Sequence, residues 1–197
     1  VDGVNLAEGN YTAEAICEKN NEEYVVSLIS ITEDINRPEL RQGRMPETED
    51  ECLVDAIFLE ESGYKIGDEI RFRSGTDASI SDTLTRDTFT IVGTAVLPHY
   101  MDLERGNAGI GDGTTDGFVL LSRDVFSLDV YTEALILIDG TEGELSYSTE
   151  YEDRSELVQD RIEAIADTEC QRRYDEVYAE GRSKLDDAEQ QIADAEQ

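Results

Sequence analysis

One imidazole, His99, three thiols, Cys17, Cys52 and Cys170, and 47 carboxylates are the groups of this 197-residue chain that could do chemistry. A nucleophilic triad needs a base beside its nucleophile, and there is no Gly-x-Ser-x-Gly turn to present a serine. A cysteine could meet His99 in space, but no spacing signals it. Without His-Glu-x-x-His or a histidine cluster, catalytic zinc has no ligand set. The cysteines form no Cys-x-x-Cys, so a zinc knuckle or a thioredoxin motif is out of reach. They allow at most one disulfide and one free thiol, by any of three pairings; reduced, partly buried thiols are the plainer reading, because cysteine packs as a small hydrophobe. The chain reads as non-catalytic.

The run Gly106-Asn-Ala-Gly-Ile-Gly-Asp-Gly113 has the glycine content of a phosphate loop, but Asp112 stands where a Walker loop needs lysine and would repel phosphate. Asp112 and Asp116 could hold a hard cation such as Ca²⁺, although the full EF-hand pattern is missing and a solvated loop is the plainer reading. Acidic pairs such as Glu22-Glu23, Glu60-Glu61 and Asp186-Asp187 arise by chance among so many acids and signal no glycosidase. Sixteen basic residues against 47 acidic ones leave a net charge of −31, which disfavours nucleic acid and anionic membranes as partners. That charge serves solubility or a salty medium, or else recruits a cationic peptide or a Ca²⁺-bridged envelope polymer.

Positioning these groups falls to an α+β chain, with mixed strands and short helices first and two helices last. Apolar runs over Val4–Cys17 and Tyr24–Ile31, turning at Asn20-Asn21, predict a hairpin. Two prolines and Gly43 leave at most a short turn around Pro38–Leu40. Strands are expected at Cys52–Val54, Glu69–Arg73, Thr88–Leu97, Phe118–Leu121 and Glu133–Ile138. Short helices are expected at Ala56–Ser62, stopped by Gly63, and at Arg123–Ser127. Ser74–Asp87, rich in Ser, Thr, Asp and Gly, reads as a mobile loop or a loosely formed hairpin. Leu103–Gly117 is a long glycine-rich excursion, the kind of segment that in a compact domain moves or binds, with Gly106, Gly109, Gly111, Gly113 and Gly117 as its candidate positions.

Thr149 with Glu152 fits a capping box for a helix over about Tyr151–Ala166, and Asp167 or Thr168 could cap a second one. In that second helix Tyr174, Tyr178, Gly181, Leu185, Ala188, Ile192 and Ala195 alternate at four and three, a weak coiled-coil seam. Domains are expected at 1–148, with a smaller β-rich part at 51–98, and at 149–197. Val1 is no initiator Met and the seam runs to the last residues, so the chain reads as part of a longer protein.

Three segments together resemble the extracytoplasmic domain of FtsX-like ABC transporter permeases, the group with MacB-type periplasmic core domains. The first is Leu40-Arg-Gln-Gly-Arg-Met-Pro46 with Glu51-Cys-Leu-Val-Asp55. The second is Gly63-Tyr-Lys-Ile-Gly-Asp-Glu-Ile70 leading to Phe89-Thr-Ile-Val-Gly93. The third is Pro98-His-Tyr100, Gly106–Gly117 with Phe118, Phe126, Tyr131-Thr-Glu133 and the 149–197 helices, which is similar to the coiled-coil-bearing permeases of Gram-positive bacteria. The resemblance spans about residues 36–197, and Cys52, Cys170 and the acidity depart from it.

It implies a membrane-anchored domain on the extracytoplasmic side with no cofactor of its own. ATP is bound by a separate ATPase subunit reached through membrane helices. A second permease copy and a peptide, lipid or envelope protein are the expected partners, and nucleic acid is not. On physical grounds Gly43, Pro46, Gly67, Asp68 and Gly93 are turn or close-approach positions. Two other classes remain open: a secreted, cation-dependent adhesion or binding module, and a hydrolase with an unsignalled site.

Overall fold

The computed structural model describes residues 1–100, 104–146 and 148–195. Two compact units form, one of Ala7–Ile136 and one of Val1–Leu6 with Leu137–Gln197. The α+β class stands.

In the larger unit, β2 (Thr12–Lys19) and β3 (Glu22–Ser30) make the expected hairpin. Asn20 and Asn21 take φ of 55° and 66°, the two left-handed positions that a tight two-residue turn requires and asparagine tolerates. The strands β4 (Glu39–Gly43), β5 (Glu51–Asp55), β6 (Glu69–Arg73), β7 (Thr88–Val96) and β8 (Gly117–Leu121) complete a seven-stranded sheet in the order β4-β7-β5-β8-β3-β2-β6. Because β6 also pairs with β7, the sheet closes on itself as a barrel of six strands with β4 attached alongside. Pairs β3–β8 and β5–β7 are parallel, and the rest of the sheet is antiparallel.

Parallel strands covered on both faces need apolar residues at every position, and Phe118-Val-Leu-Leu121 supplies them. Val119 and Leu121 join the cluster that holds Phe58, Phe72, Phe89, Cys17 and Cys52, while Phe118 and Leu120 join Ile29, Leu53 and Leu97 on the opposite face. Between β5 and β6, α1 (Ala56–Ser62) starts at Asp55, whose Oδ1 accepts from Ile57 N at 3.1 Å, and ends at Gly63 with φ 77°.

Where a short turn around Pro38–Leu40 was expected, Glu39 and Leu40 open the strand β4. All its residues are exposed and Leu40 is its one large apolar side chain, so β4 lacks a hydrophobic signature and exists through its pairing with β7. Arg123–Val125 forms only a single 3₁₀ turn. Residues 51–98, read as a smaller β-rich part of the first domain, carry β5, β6 and β7 of the seven-stranded sheet.

Strands β1 (Val4–Asn10) and β9 (Glu133–Ile138) pair with each other, and each runs from one unit into the other. In the smaller unit, where two helices were expected either side of Asp167–Thr168, one helix, α2, runs from Thr149 to Ala195. Neither Asp nor Thr breaks a helix; each costs only about 0.7 kcal/mol or less relative to Ala. The cap is Ser148, whose Oγ accepts from Tyr151 N at 3.2 Å, one residue before the expected Thr149. Val158 is buried against Gly3, and Arg161 donates to Asp2 O at 2.7 Å. Farther along, Tyr174, Val177, Tyr178 and Leu185 are exposed. The side chains of Ile192 and Ala195 lie outside the described residues.

Gly93 stands where β4, β5 and β7 come closest: a Cβ there would lie 2.5 Å from Gln42 O and 2.8 Å from Arg44 O. Backbone atoms cannot yield as side-chain ends can. Gly93→Ala should therefore lower stability by ~1–3 kcal/mol, read as a shifted urea midpoint; an unchanged midpoint would mean that the close approach is not required.

Candidate functional site

The first two resembling segments meet on β7. Arg44 N donates to Val92 O at 3.1 Å, Gly67 N donates to Ile91 O at 2.8 Å, and Ile91 N donates to Asp68 O at 2.9 Å. Gly43 takes φ 77° and its missing Cβ leaves room for Val92 O, while Gly67 takes φ 97° in open space.

Two ion pairs tie these turns. The Arg44 guanidinium grips the Glu51 carboxylate with both nitrogens, one bond being 2.7 Å, and Glu47 N donates to Glu51 Oε2 at 2.8 Å. The Arg44 hydrogen bond, followed by that of Glu47, holds the Glu51 pKa down to about 2. Lys19 Nζ reaches Asp68 Oδ2 at 2.6 Å and lies 4.6 Å from the Tyr64 ring centre, and Tyr64 donates its hydroxyl to Glu18 O at 2.8 Å. Pro46 follows the Arg44 clasp. The sequence reading named the glycines and missed Arg44 and Glu51, although both stand in the quoted segment.

The glycine-rich excursion is a small folded hairpin. Leu103 lies outside the described residues. Asn107 bridges Thr114, Ala108 N donates to Gly113 O at 2.9 Å, and Thr115 N donates to Gly106 O at 3.1 Å. Gly106, Gly111 and Gly113 take φ of 95°, 62° and 92°. The hairpin is tied to β2 and β3. Gly109 N donates to both oxygens of Glu14 at 2.9 Å, Val25 N donates to Asp116 Oδ2 at 2.6 Å, and a Cβ at Gly111 would strike Val25 Cγ2 at 2.5 Å. Gly117 begins β8 packed on Phe58.

At the root of the hairpin sits a buried ion pair. Arg105 Nε donates to Asp55 Oδ2 at 2.6 Å and Nη2 donates to Oδ1 at 3.2 Å, with side chains 4% and 0% exposed. The guanidinium also lies 5.2 Å from the Tyr100 ring centre and 5.9 Å from that of Phe118. Its pKa is raised by the hydrogen bond it donates to Asp55. Since Asp55 also caps α1, one carboxylate joins the end of β5, the start of α1 and the entry to the hairpin. The only advance signal was a carboxylate ending an apolar strand.

The two candidate cation ligands face backbone instead. Asp112 Oδ1 accepts from Thr114 N at 3.0 Å, Asp116 accepts from Val25 N, and among the described residues no group of three His, Cys, Asp or Glu side chains could hold a metal. Cys17 and Cys52 are free thiols inside the barrel, and burial pushes Cys17 up to about 12 and Cys52 higher still. Cys170 is an exposed free thiol on α2. His99 lies apart from all three, in a cavity that no cysteine lines.

No protein-family model matches the chain, and no curated protein does. Among solved structures it is similar to the extracellular domain of the noncanonic ABC-type transporter YknZ from Gram-positive bacteria, at 11% identity over 72% of this chain and 69% of that one, with a TM-score of 0.45. It is also similar to the periplasmic region of MacB from Actinobacillus actinomycetemcomitans, at 11% identity over 81% of this chain and 68% of that one, with a TM-score of 0.43. At this identity and superposition the likeness is one of general chain arrangement.

Two outcomes test the joints. Arg105→Met leaves the buried Asp55 charge uncompensated and should cost ~3–5 kcal/mol in urea unfolding, with Asp55→Asn in the same chain recovering part of it; additive losses would mean that the pair does not act as a unit. Because the folded pKa of Glu51 is depressed, its contribution is complete above ~4.3, the unfolded value, and disappears as pH falls towards 2. The stability gap between the native chain and Glu51→Gln should be constant near neutrality and close over that interval; a gap independent of pH would sink the assignment.

Proposed function

We propose that this chain is the non-catalytic extracytoplasmic domain of an FtsX-like, MacB-type ABC transporter permease. What supports the reading is that turns of two of the resembling segments, at Arg44 and at Gly67-Asp68, both hydrogen-bond the Ile91–Val92 stretch near the end of the second. Short turn motifs matched by chance have no reason to meet. The domain then works as a coupling element. Among the described residues no helix is long and apolar enough to cross a membrane, so the membrane part lies elsewhere in such a protein.

Helix α2 suits that role. Its 47 residues reach about 70 Å at ~1.5 Å per residue. A rigid element of that length carries displacement over tens of Å. Its exposed Tyr174, Tyr178 and Leu185 are the seam along which it would lie on another helix, of the same chain or of a second permease copy. ATP binding and hydrolysis belong to a separate ATPase subunit, and the docked glycine hairpin is the element proposed to move or to meet cargo.

The complete reading frame should place a membrane span before this domain and several after α2, and protease outside intact cells should cut α2. A cleavable signal peptide with no further span would overturn the reading. In the intact transporter, alanine at Gly109 and Gly113 should lower transport-coupled ATP hydrolysis several-fold, while unchanged hydrolysis would remove the hairpin from the cycle.

A further inference from the structure

Beside the strand face that carries Ile29, Leu97 and Leu120 lies a cavity of about 210 Å³, wholly within the larger unit. It is about seven water volumes at ~30 Å³ each, room for a molecule of ten or so heavy atoms. Ile29, Leu97 and Leu120 give it apolar lining, and its polar lining includes Asn10, Ser27, Ser30, His99, Tyr100 and Glu133.

These groups are held in place before any ligand arrives. Ser30 Oγ donates to Asn10 Oδ1 at 2.5 Å, and Asn10 Nδ2 donates to Glu133 Oε2 at 2.9 Å, which occupies one carboxylate oxygen and fixes the other. Tyr100 stacks flat on Phe118, with ring centres 5.2 Å apart. The loop forming the rim at Asn36 is pinned by the Glu8 carboxylate, which accepts from the backbone N–H groups of Glu33, Asp34 and Ile35 at 2.8, 3.1 and 2.9 Å.

The charge balance selects the ligand. Arg105, the cation nearest Tyr100, is neutralised by Asp55. Loss of water lowers the His99 pKa, while Glu133 draws it up. Among the described residues, Glu133 forms no ion pair and is the one carboxylate lining the cavity. An anion would meet that charge and the −31 of the whole chain. A neutral apolar molecule would leave the polar lining unused.

We infer that this cavity binds a small organic cation, a primary ammonium on an apolar stem, with the ammonium between Glu133 and the Tyr100 and His99 rings and the stem on Ile29, Leu97 and Leu120. Carboxylate and aromatic faces together recognise ammonium. The site stands on the cavity alone and does not depend on the permease reading. Free amines and peptide-borne lysines share this chemistry.

The test is a titration of the full chain in 150 mM salt, followed by amide chemical shifts. The probes are hexylamine, Nα-acetyl-lysine methylamide, hexan-1-ol and hexanoate. Saturable shifts confined to cavity residues are expected with one or both ammonium probes, at least about ten-fold tighter than with the alcohol, and none with the acid. The tighter ammonium probe identifies a free amine or a lysine side chain as the natural form. Glu133→Gln keeps an acceptor for Asn10 and should bring the amine to the level of the alcohol. Equal response to amine, alcohol and acid, shifts scattered over the acidic surface, absence of saturation, or a Glu133→Gln chain that binds the amine unchanged would each overturn the assignment.

Discussion

Strand β7 must serve three neighbours. Its Thr88–Thr90 end pairs with β6 and its Gly93–Val96 end pairs with β4, while β5 runs parallel along its other edge. On one strand edge only alternate residues point their N–H and C=O outward, and each serves a single neighbour, so β4 and β6 can share that edge only by meeting near Ile91–Gly93. The barrel closes there, and the register slips there: a bulge lies between Cys52 and Leu53, and another between Leu40 and Gln42. A side chain at Gly93 would block the meeting. The turns around Gly43 and Gly67, the bulges and the closure thus answer one geometric demand.

The joints between elements are made by charge. Cations are scarce in this chain, yet Arg71, Arg73, Arg105, Arg123 and Lys19 each pair with a carboxylate 16 or more positions away and Arg44 pairs with Glu51 seven positions on, and most join a strand to a strand or loop. Exposed pairs contribute little each. Arg105–Asp55 differs because it is buried, and breaking either half leaves a charge without water. The glycine hairpin grows from that point, so a segment that looks unsupported in sequence is anchored at its root by the pair and at its tip by Glu14.

Much of the fold was legible. Alternation located β2, β3, β6 and β7, Gly63 stopped α1, and the acidic, periodic end was helical. The exposed β4 was not legible, since nothing but its partner makes it a strand. The helix break at Asp167–Thr168 was a misreading of residues that are good caps and also acceptable helix interiors. Of the candidate site, the glycines showed themselves because positive φ leaves a mark on residue type. Arg44, Glu51, Arg105 and Asp55 did not, because one arginine among thirteen and one acid among 47 carry no mark of pairing.

By itself the sequence determined the α+β class, the hairpin turn at Asn20-Asn21, the absence of the usual catalytic signatures and the acidic surface, all of which follow from residue type and local period. Only the tertiary structure decided that the sheet closes through β7, that Asp55 meets Arg105 and that Asn10, Tyr100 and Glu133 face one cavity. The ion pair joins residues 50 positions apart and the Asn10–Glu133 hydrogen bond residues 123 apart. Local physics sets what each segment prefers, but which distant segments meet is settled by packing the whole chain at once.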